Sequence, residues 1–290
     1  MHKYQYVLVA IILSAYLAAS CPGIAAAGYQ QSKVIISTQE DLAQDVASAP
    51  CKEKERLEAV RALFLKMGAQ PGQIVIEKTG GVENLVVTRP GQSEDTLVIG
   101  AHYDKTDAGC GVVDNWSGVI AIAHIFRSLK DISLSKTLVF VAFDKEEDGL
   151  LGSKAMVRGI EKEKLNRHCA MVNIDSLGLA APQTLENLSS KPLINRAEEI
   201  AKRMNIPFTR ATILSAGADS QPFIEKKIPA ITISGLSNKW VEVIHTGEDK
   251  AANLNNVSLY LGYRLALALV VELHNLPCDV GRAKEVTSDK

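Results

Sequence analysis

The spacing of apolar residues changes along the chain in a way that outlines a fold. Leu57, Val60, Phe64 and Met67 recur at three- and four-residue intervals, the period of one helix face, and Gly68 supplies a stop. The segment Gln39–Met67 is therefore helical, divided at Pro50. Three strand candidates follow, Gln73–Lys78, Asn84–Arg89 and Thr96–Ala101, separated by Gly80-Gly81 and Pro90-Gly91. Val119–Leu129 has the continuous apolar character of a buried helix. Lys136–Phe143 and Cys169–Ile174 are apolar runs of strand length, the kind covered on both faces of a sheet. Helices are predicted around Met156, over Lys191–Met204 and over Gln221–Lys226, with a strand at Ala230–Ser234. The long stretch Leu254–Leu273 reads as a closing helix. Tyr263, Arg264 and Glu272 interrupt it, so it is expected to dock on a core and not to span a membrane. Strands alternating with helices predict an α/β fold. The expected form is a mixed, mostly parallel β-sheet sandwiched by helices, with antiparallel strands early, where turns are tight. No linker divides the chain, which predicts a single catalytic domain over residues 38–276 and a C-terminal tail over 277–290.

The first residues follow a different rule. His2 and Lys3 precede an uncharged apolar run from Val7 to Ser20, then small residues, which is the pattern of a signal peptide over residues 1–27. Two processing sites compete. Ala25-Ala26-Ala27 fits cleavage before Gly28, whereas Leu17-Ala18-Ala19-Ser20-Cys21 resembles a bacterial lipoprotein box whose cysteine would carry a lipid anchor. Either one predicts export, to the periplasm or beyond. The rest of the composition is ordinary for a globular protein, 47% hydrophobic and 22% charged, and a net charge of -1 gives no basis for a nucleic-acid partner. Of the five cysteines, Cys51, Cys110, Cys169 and Cys278 lie beyond the leader. An oxidising compartment permits two disulfides among them, in any of three connectivities.

Candidate chemistry gathers at the ends of the predicted strands. His102 follows "TLVIGA", and Asp104 stands two residues on, where a carboxylate can sit behind the imidazole and fix its tautomer. Asp114 occupies the glycine-rich loop "GCGVVDNWSG", in which Gly109, Gly111 and Gly118 allow close approach. The sequon Asn115-Trp116-Ser117 in the same loop is discounted as a chance match. Glu146 and Glu147 end the most apolar strand, a costly place for adjacent carboxylates without a positive partner. Asp175 ends "AMVNI", and His245 lies after Trp240, ahead of the acidic pair Glu248 and Asp249. Two imidazoles, three carboxylates and a further glutamate would hold two zinc ions and activate a water between them. His124, His168 and His274 lack such context. Asp219 is either a helix cap or a support to the site.

The segments "GAHYDK", "VDNWSG", "FDKEEDGLLGSKAM", "NIDSLG", "DSQPF", "KIPAITI" and "IHTGED" stand in the order found in the co-catalytic zinc aminopeptidases, and the chain resembles that family from about Asn84 to its last helix. The group includes bacterial leucyl-type aminopeptidases, aminopeptidase Y and the glutaminyl cyclases. The resemblance implies a zinc exopeptidase-like fold and a peptide substrate. It also implies His102 and Asp175 on one zinc, Glu147 and His245 on the other, Asp114 bridging, Glu146 as general base and Asp104 as the partner of His102. It implies an alternative as well, a glutaminyl cyclase working with one zinc. The chain departs from the family at Ser220, where many members have His, and at Ile244 and Ser215, either of which can be Tyr. The residues between Asp175 and His245 are filled by elements that the sandwich needs, with no inserted dimerisation domain, so a monomer is expected. Loops near Cys110 and Trp240 are expected to limit the length of the bound peptide.

Overall fold

Two helices open the described chain, α1 (Gln39–Val46) and α2 (Glu53–Lys66). A capping box starts the first: Thr38 Oγ1 accepts the Asp41 N–H at 3.2 Å, and the Asp41 carboxylate accepts the Thr38 N–H at 3.1 Å. The computed structural model describes residues 34–282 except Ser215, so the leader, its two processing sites and residues 283–290 lie outside the described residues. Strands β1 (Ile74–Thr79), β2 (Val82–Arg89) and β3 (Ser93–His102) come next, then α3 (Ser117–Leu129) and β4 (Lys136–Phe143). Helix α4 (Leu151–Gly159), β5 (His168–Ile174), β6 (Gln183–Leu185), α5 (Lys191–Met204) and β7 (Thr209–Ala211) follow. The last elements are α6 (Ser220–Glu225), β8 (Ala230–Ser234) and α7 (Asn256–Asn275).

The strands form one sheet in the order β1-β2-β4-β3-β5-β8-β6-β7. Its centre is parallel: β3 pairs with β4 and β5, and β5 with β8, all in one direction. The hairpin β1–β2 is antiparallel, as its tight Gly80-Gly81 turn requires, and β2 also pairs antiparallel with β4. On the far side β6 runs antiparallel to β8, and β7 pairs parallel to β6. Those last two strands have three residues each, too short to show a period-2 pattern. Alternation along each central strand serves two cores. Leu97, Ile99 and Ala101 face α1, α2, α3, α5 and α7, while Val98, Val141, Phe143 and Met171 face Val157 of α4 and Phe223 of α6.

Helix α7 is long and apolar enough to cross a membrane by length and composition, but Leu259, Tyr263, Ala266, Val270 and Leu273 are buried. It packs on α1, α3, α5 and the sheet, and Glu272 receives Arg196 of α5 at 2.5 Å. Lys136, the first residue of β4, is itself buried and donates to the His274 carbonyl at 3.1 Å and to that of Leu276, satisfying the end of the helix.

Two disulfides select one of the three connectivities, Cys51–Cys110 and Cys169–Cys278. The second fastens the residues after α7 to β5. Arg282 reinforces it by donating to the carbonyls of His168 at 2.8 Å, Cys278 at 3.0 Å and Leu165 at 3.2 Å. This bridge closes a loop of 109 residues. Cys169→Ala/Cys278→Ala is therefore expected to lose about 2–5 kcal/mol of stability, measured by denaturant unfolding at fixed metal saturation. Deuterium uptake should rise first in residues 277–282.

Candidate metal centre

Parallel strands end on the same side, so the centre of this sheet presents four chain ends along one edge. Three of them deliver site residues directly. β3 ends on His102, β4 runs into the turn that carries Glu146 and Glu147, and Asp175 follows β5. β8 leads through a longer loop to His245. Six of the seven residues singled out in the sequence line one cleft, and the seventh, Asp104, stands behind His102.

The closest contacts centre on Asp114. Its Oδ1 lies 3.1 Å from His102 Nε2, and its Oδ2 lies 3.0 Å from His245 Nε2. One carboxylate thus faces two imidazoles, one through each oxygen. His245 Nε2 is also 3.0 Å from Glu147 Oε2, and His102 Nε2 is 3.8 Å from Asp175 Oδ1. Ligand atoms of His102, Asp114 and Glu147 all fall within 4.8 Å of one another. Asp95, Cys169 and Cys278 also cluster, but both sulfurs are consumed in the disulfide.

A second layer of bonds holds these groups. Asp104 stands 3.3 Å from His102 Nδ1, while its two oxygens accept the N–H groups of Glu146 and Glu147 at 3.1 Å each. Asp249 accepts three successive N–H groups, from Val112 and Val113 at 2.7 Å and from Asp114 at 3.1 Å. Asn115 is wholly buried. It donates to the Ile174 carbonyl at 2.9 Å and accepts from Gly118 at 2.9 Å and Ser176 at 3.1 Å, so the sequon is spent on structure. Close approach explains two of the glycines. A Cβ on Gly109 would stand 2.4 Å from the Thr246 carbonyl oxygen, and one on Gly118 would stand 2.4 Å from that of Ile174. The backbone of His245 (φ 61°) and of Ser176 (φ 59°) is left-handed, a strained state that surrounding bonds must hold in place.

Crowded carboxylates and burial displace the acid–base equilibria. Burial pushes the Glu146 carboxyl up to about 9, opposed by His102 and reinforced by Asp219, Asp175 and Asp114. Burial likewise raises Asp219 to about 7 and raises Glu147. Burial opposes the charging of His102, yet the Glu146 charge and bonds to Asp104, Asp114 and Asp175 push it well above the ordinary histidine range. Hydrogen bonds to Asp114 and Glu147 bring His245 up to about 10. Burial works against ionised Asp114, but the two imidazoles hold it below the usual carboxylate range. The buried Glu147 Oε1 lacks a partner, and the donor set is nitrogen and carboxylate oxygen; both fit zinc.

Sequence reasoning left Asp249 and Asn115 without roles. The signals were present, an aspartate four residues after His245 and an asparagine beside Asp114. Asp219 stands at the N-cap position of α6, but its side chain makes no capping bond. Both its oxygens are buried without a partner, and the neighbouring Ser153 hydroxyl goes to the Leu150 carbonyl at 3.3 Å. Ser220 instead bonds the Leu188 carbonyl and the Thr232 hydroxyl, at 2.8 and 2.7 Å. Ile244 is buried at the wall of the cleft, and Ser215 lies outside the described residues. The cleft holds about 340 Å³, with Leu150, Leu185, Ile213, Leu236, Trp240 and Ile244 forming apolar walls. Trp240 lines it, as expected, but Cys110 is not among the residues that do.

Comparison with known proteins places this geometry in context. The sequence profile of Peptidase family M28 matches residues 84–270. Leucine aminopeptidase 2 of Trichophyton rubrum is 34% identical over 218 residues, which cover 64% of this chain and 43% of the relative. The chain therefore spans less than half the length of that relative. The LapA aminopeptidase of Legionella pneumophila superposes with a TM-score of 0.70 at 20% identity, covering 84% of this chain and 73% of that one. A glutaminyl cyclase from an Acidobacteriales bacterium superposes with a TM-score of 0.71 at 17% identity, covering 87% and 99%. At these identities the two structures establish the fold.

The raised histidine values have a sign that can be tested. Both shifts favour protonated imidazoles at neutral pH, whereas a zinc ligand must be neutral. Zinc binding at pH 7 should therefore release protons, read as a dependence of calorimetric heat on buffer ionisation enthalpy. Apparent affinity should weaken as pH falls. Binding heats identical in all buffers would contradict this assignment.

Proposed function

The chain belongs to peptidase family M28, and from that premise we propose that it is an exported zinc aminopeptidase. Two zinc ions held at this site would supply an activated water, with which the chain would remove N-terminal residues from peptides. The observation that carries this reading is Asp114, whose two oxygens face His102 and His245 separately. A carboxylate so placed suits a bridge between two cations. His102 and Asp175 would hold one ion, and Glu147 and His245 the other. Bound there, the ions would supply an activated water and a Lewis acid for the scissile carbonyl.

The chain's own groups do the remaining work. Glu146 takes a proton from the attacking water at its carboxylate. It passes that proton to the departing amine as the carbon–nitrogen bond breaks. Asp104 orients the imidazole of His102 and, through the N–H groups of Glu146 and Glu147, the turn that carries the base. The apolar walls from Leu150 to Ile244 suit a hydrophobic N-terminal side chain and exclude water around it. The name of the fungal relative, a leucine aminopeptidase, supports the same preference. The leader pattern and two disulfides support export. Between Asp175 and His245 the described residues form β6, α5, β7, α6 and β8, all belonging to the sandwich, which supports a monomer.

Protein purified without chelator should hold about two zinc ions per chain and release hydrophobic residues from aminoacyl reporters. Glu146→Gln should cost about 10² to 10⁴ in rate while zinc content stays near wild type. Asp114→Asn should lose zinc and activity together. Loss of zinc in Glu146→Gln but not in Glu147→Gln would mean that the two roles are exchanged. A second reading is glutaminyl cyclase, the activity named for a bacterial protein that shares this fold. One zinc at saturation, with cyclisation of an N-terminal glutamine, would decide for it.

A further inference from the structure

A buried cation outside the family-matched region grips both flanks of the loop that leads to Asp114. Arg56 lies in α2 and is 0% exposed. Among the described residues it forms no ion pair. Its guanidinium donates to four main-chain carbonyls: Pro50 at 3.0 Å, Cys110 at 3.0 Å, Gly111 at 3.1 Å, and Tyr103. It also lies 5.0 Å from the centre of the Trp116 ring. In sequence, Tyr103 sits between His102 and Asp104, Gly111 precedes Asp114 by three residues, and Trp116 follows it by two. One side chain therefore spans the loop from the first histidine to the bridging carboxylate.

Burying a guanidinium is costly when no carboxylate is within ion-pair distance, even though the charges of Glu53, Asp104, Asp249 and Asp114 act on it from further off. If α2 needed only packing at this position, methionine or leucine would fill it without that desolvation. What arginine adds is a rigid fork of donors that can satisfy several carbonyls in fixed relative positions. The Cys51–Cys110 disulfide ties the same two segments, and the Cys110 N–H bonds the Asp249 carbonyl at 2.8 Å. Asp249 in turn holds the N–H groups of residues 112–114. The bonds run without a break from α2 to Asp114.

We infer that Arg56 is a positioning residue for the metal centre, which sets the place of Asp114 between His102 and His245 and thereby the affinity for zinc. The inference rests on the zinc reading above but not on the choice of peptide substrate. Groups behind metal ligands typically weigh about 10–100-fold in metal affinity.

The test measures zinc dissociation constants by competition with a chromophoric chelator, on the full mature chain. Arg56→Met should weaken zinc binding about tenfold or more. Arg56→Lys, which keeps the charge but not the fork, should fall between Arg56→Met and wild type. Val60→Ala, a core truncation on the same helix, should lower the unfolding temperature but leave zinc affinity within about twofold of wild type. Should Arg56→Met fail to fold, Arg56→Lys against Val60→Ala decides by the same measure. Zinc affinity within about twofold of wild type in the arginine variants, or an equal loss in Val60→Ala, overturns the inference. If the wild-type chain cleaves no aminoacyl reporter but binds zinc with this dependence on Arg56, the peptidase reading falls and the positioning role stands.

Discussion

One carboxylate shared between two imidazoles is the arrangement on which the rest of this structure depends. Asp114 sits on a loop, where backbone is ordinarily mobile, yet it must face His102 from a strand end and His245 from another loop. The fold meets that demand by converting the loop into a braced element. Asp249 holds its amides from one side, Asn115 ties its exit to β5, and the carbonyls of its first half are held from α2. The parallel centre of the sheet supplies the fixed frame by aligning the ends of β3, β4, β5 and β8.

The same arrangement concentrates negative charge. Several carboxylates crowd around Asp114, and burial first, then the neighbouring charges, resists the ionisation of Glu146, Glu147 and Asp219. Protonated histidines balance part of it, and a pair of dications would balance far more. Under the proposed reading, metal loading and the charge state of Glu146 would be one coupled equilibrium.

Long elements were legible in the sequence because their patterns are strong. The apolar run of β4 and the helical spacing in α2 each reflect burial that a few residues suffice to reveal. His102, Glu146, Glu147 and Asp175 drew notice for a related reason: polar groups at the ends of apolar strands are expensive and need a purpose, whereas Asp114 and His245, on loops, stood out only within the ordered motifs. Strands β6 and β7 escaped notice because three residues carry no period. Asp249 was visible only as part of an acidic pair, since nothing in its spacing says that it faces three amides. Nothing in the spacing of α2 singles out Arg56. Its burial follows from the carbonyls of a distant loop, which no local pattern encodes. The disulfide pairing, likewise, depends on contacts across 59 and 109 residues.

The burial of Asn115 bears on how this chain can be made. Its amide serves three partners inside the protein, with no room for a substituent. A eukaryotic secretory host reads Asn-Trp-Ser on the unfolded chain, before that amide is hidden. A sugar attached there would occupy the space between α3 and β5 and hold the bridging loop open. The order of events during synthesis, folding before modification, would then govern the yield of native protein, so a bacterial host is the safer source.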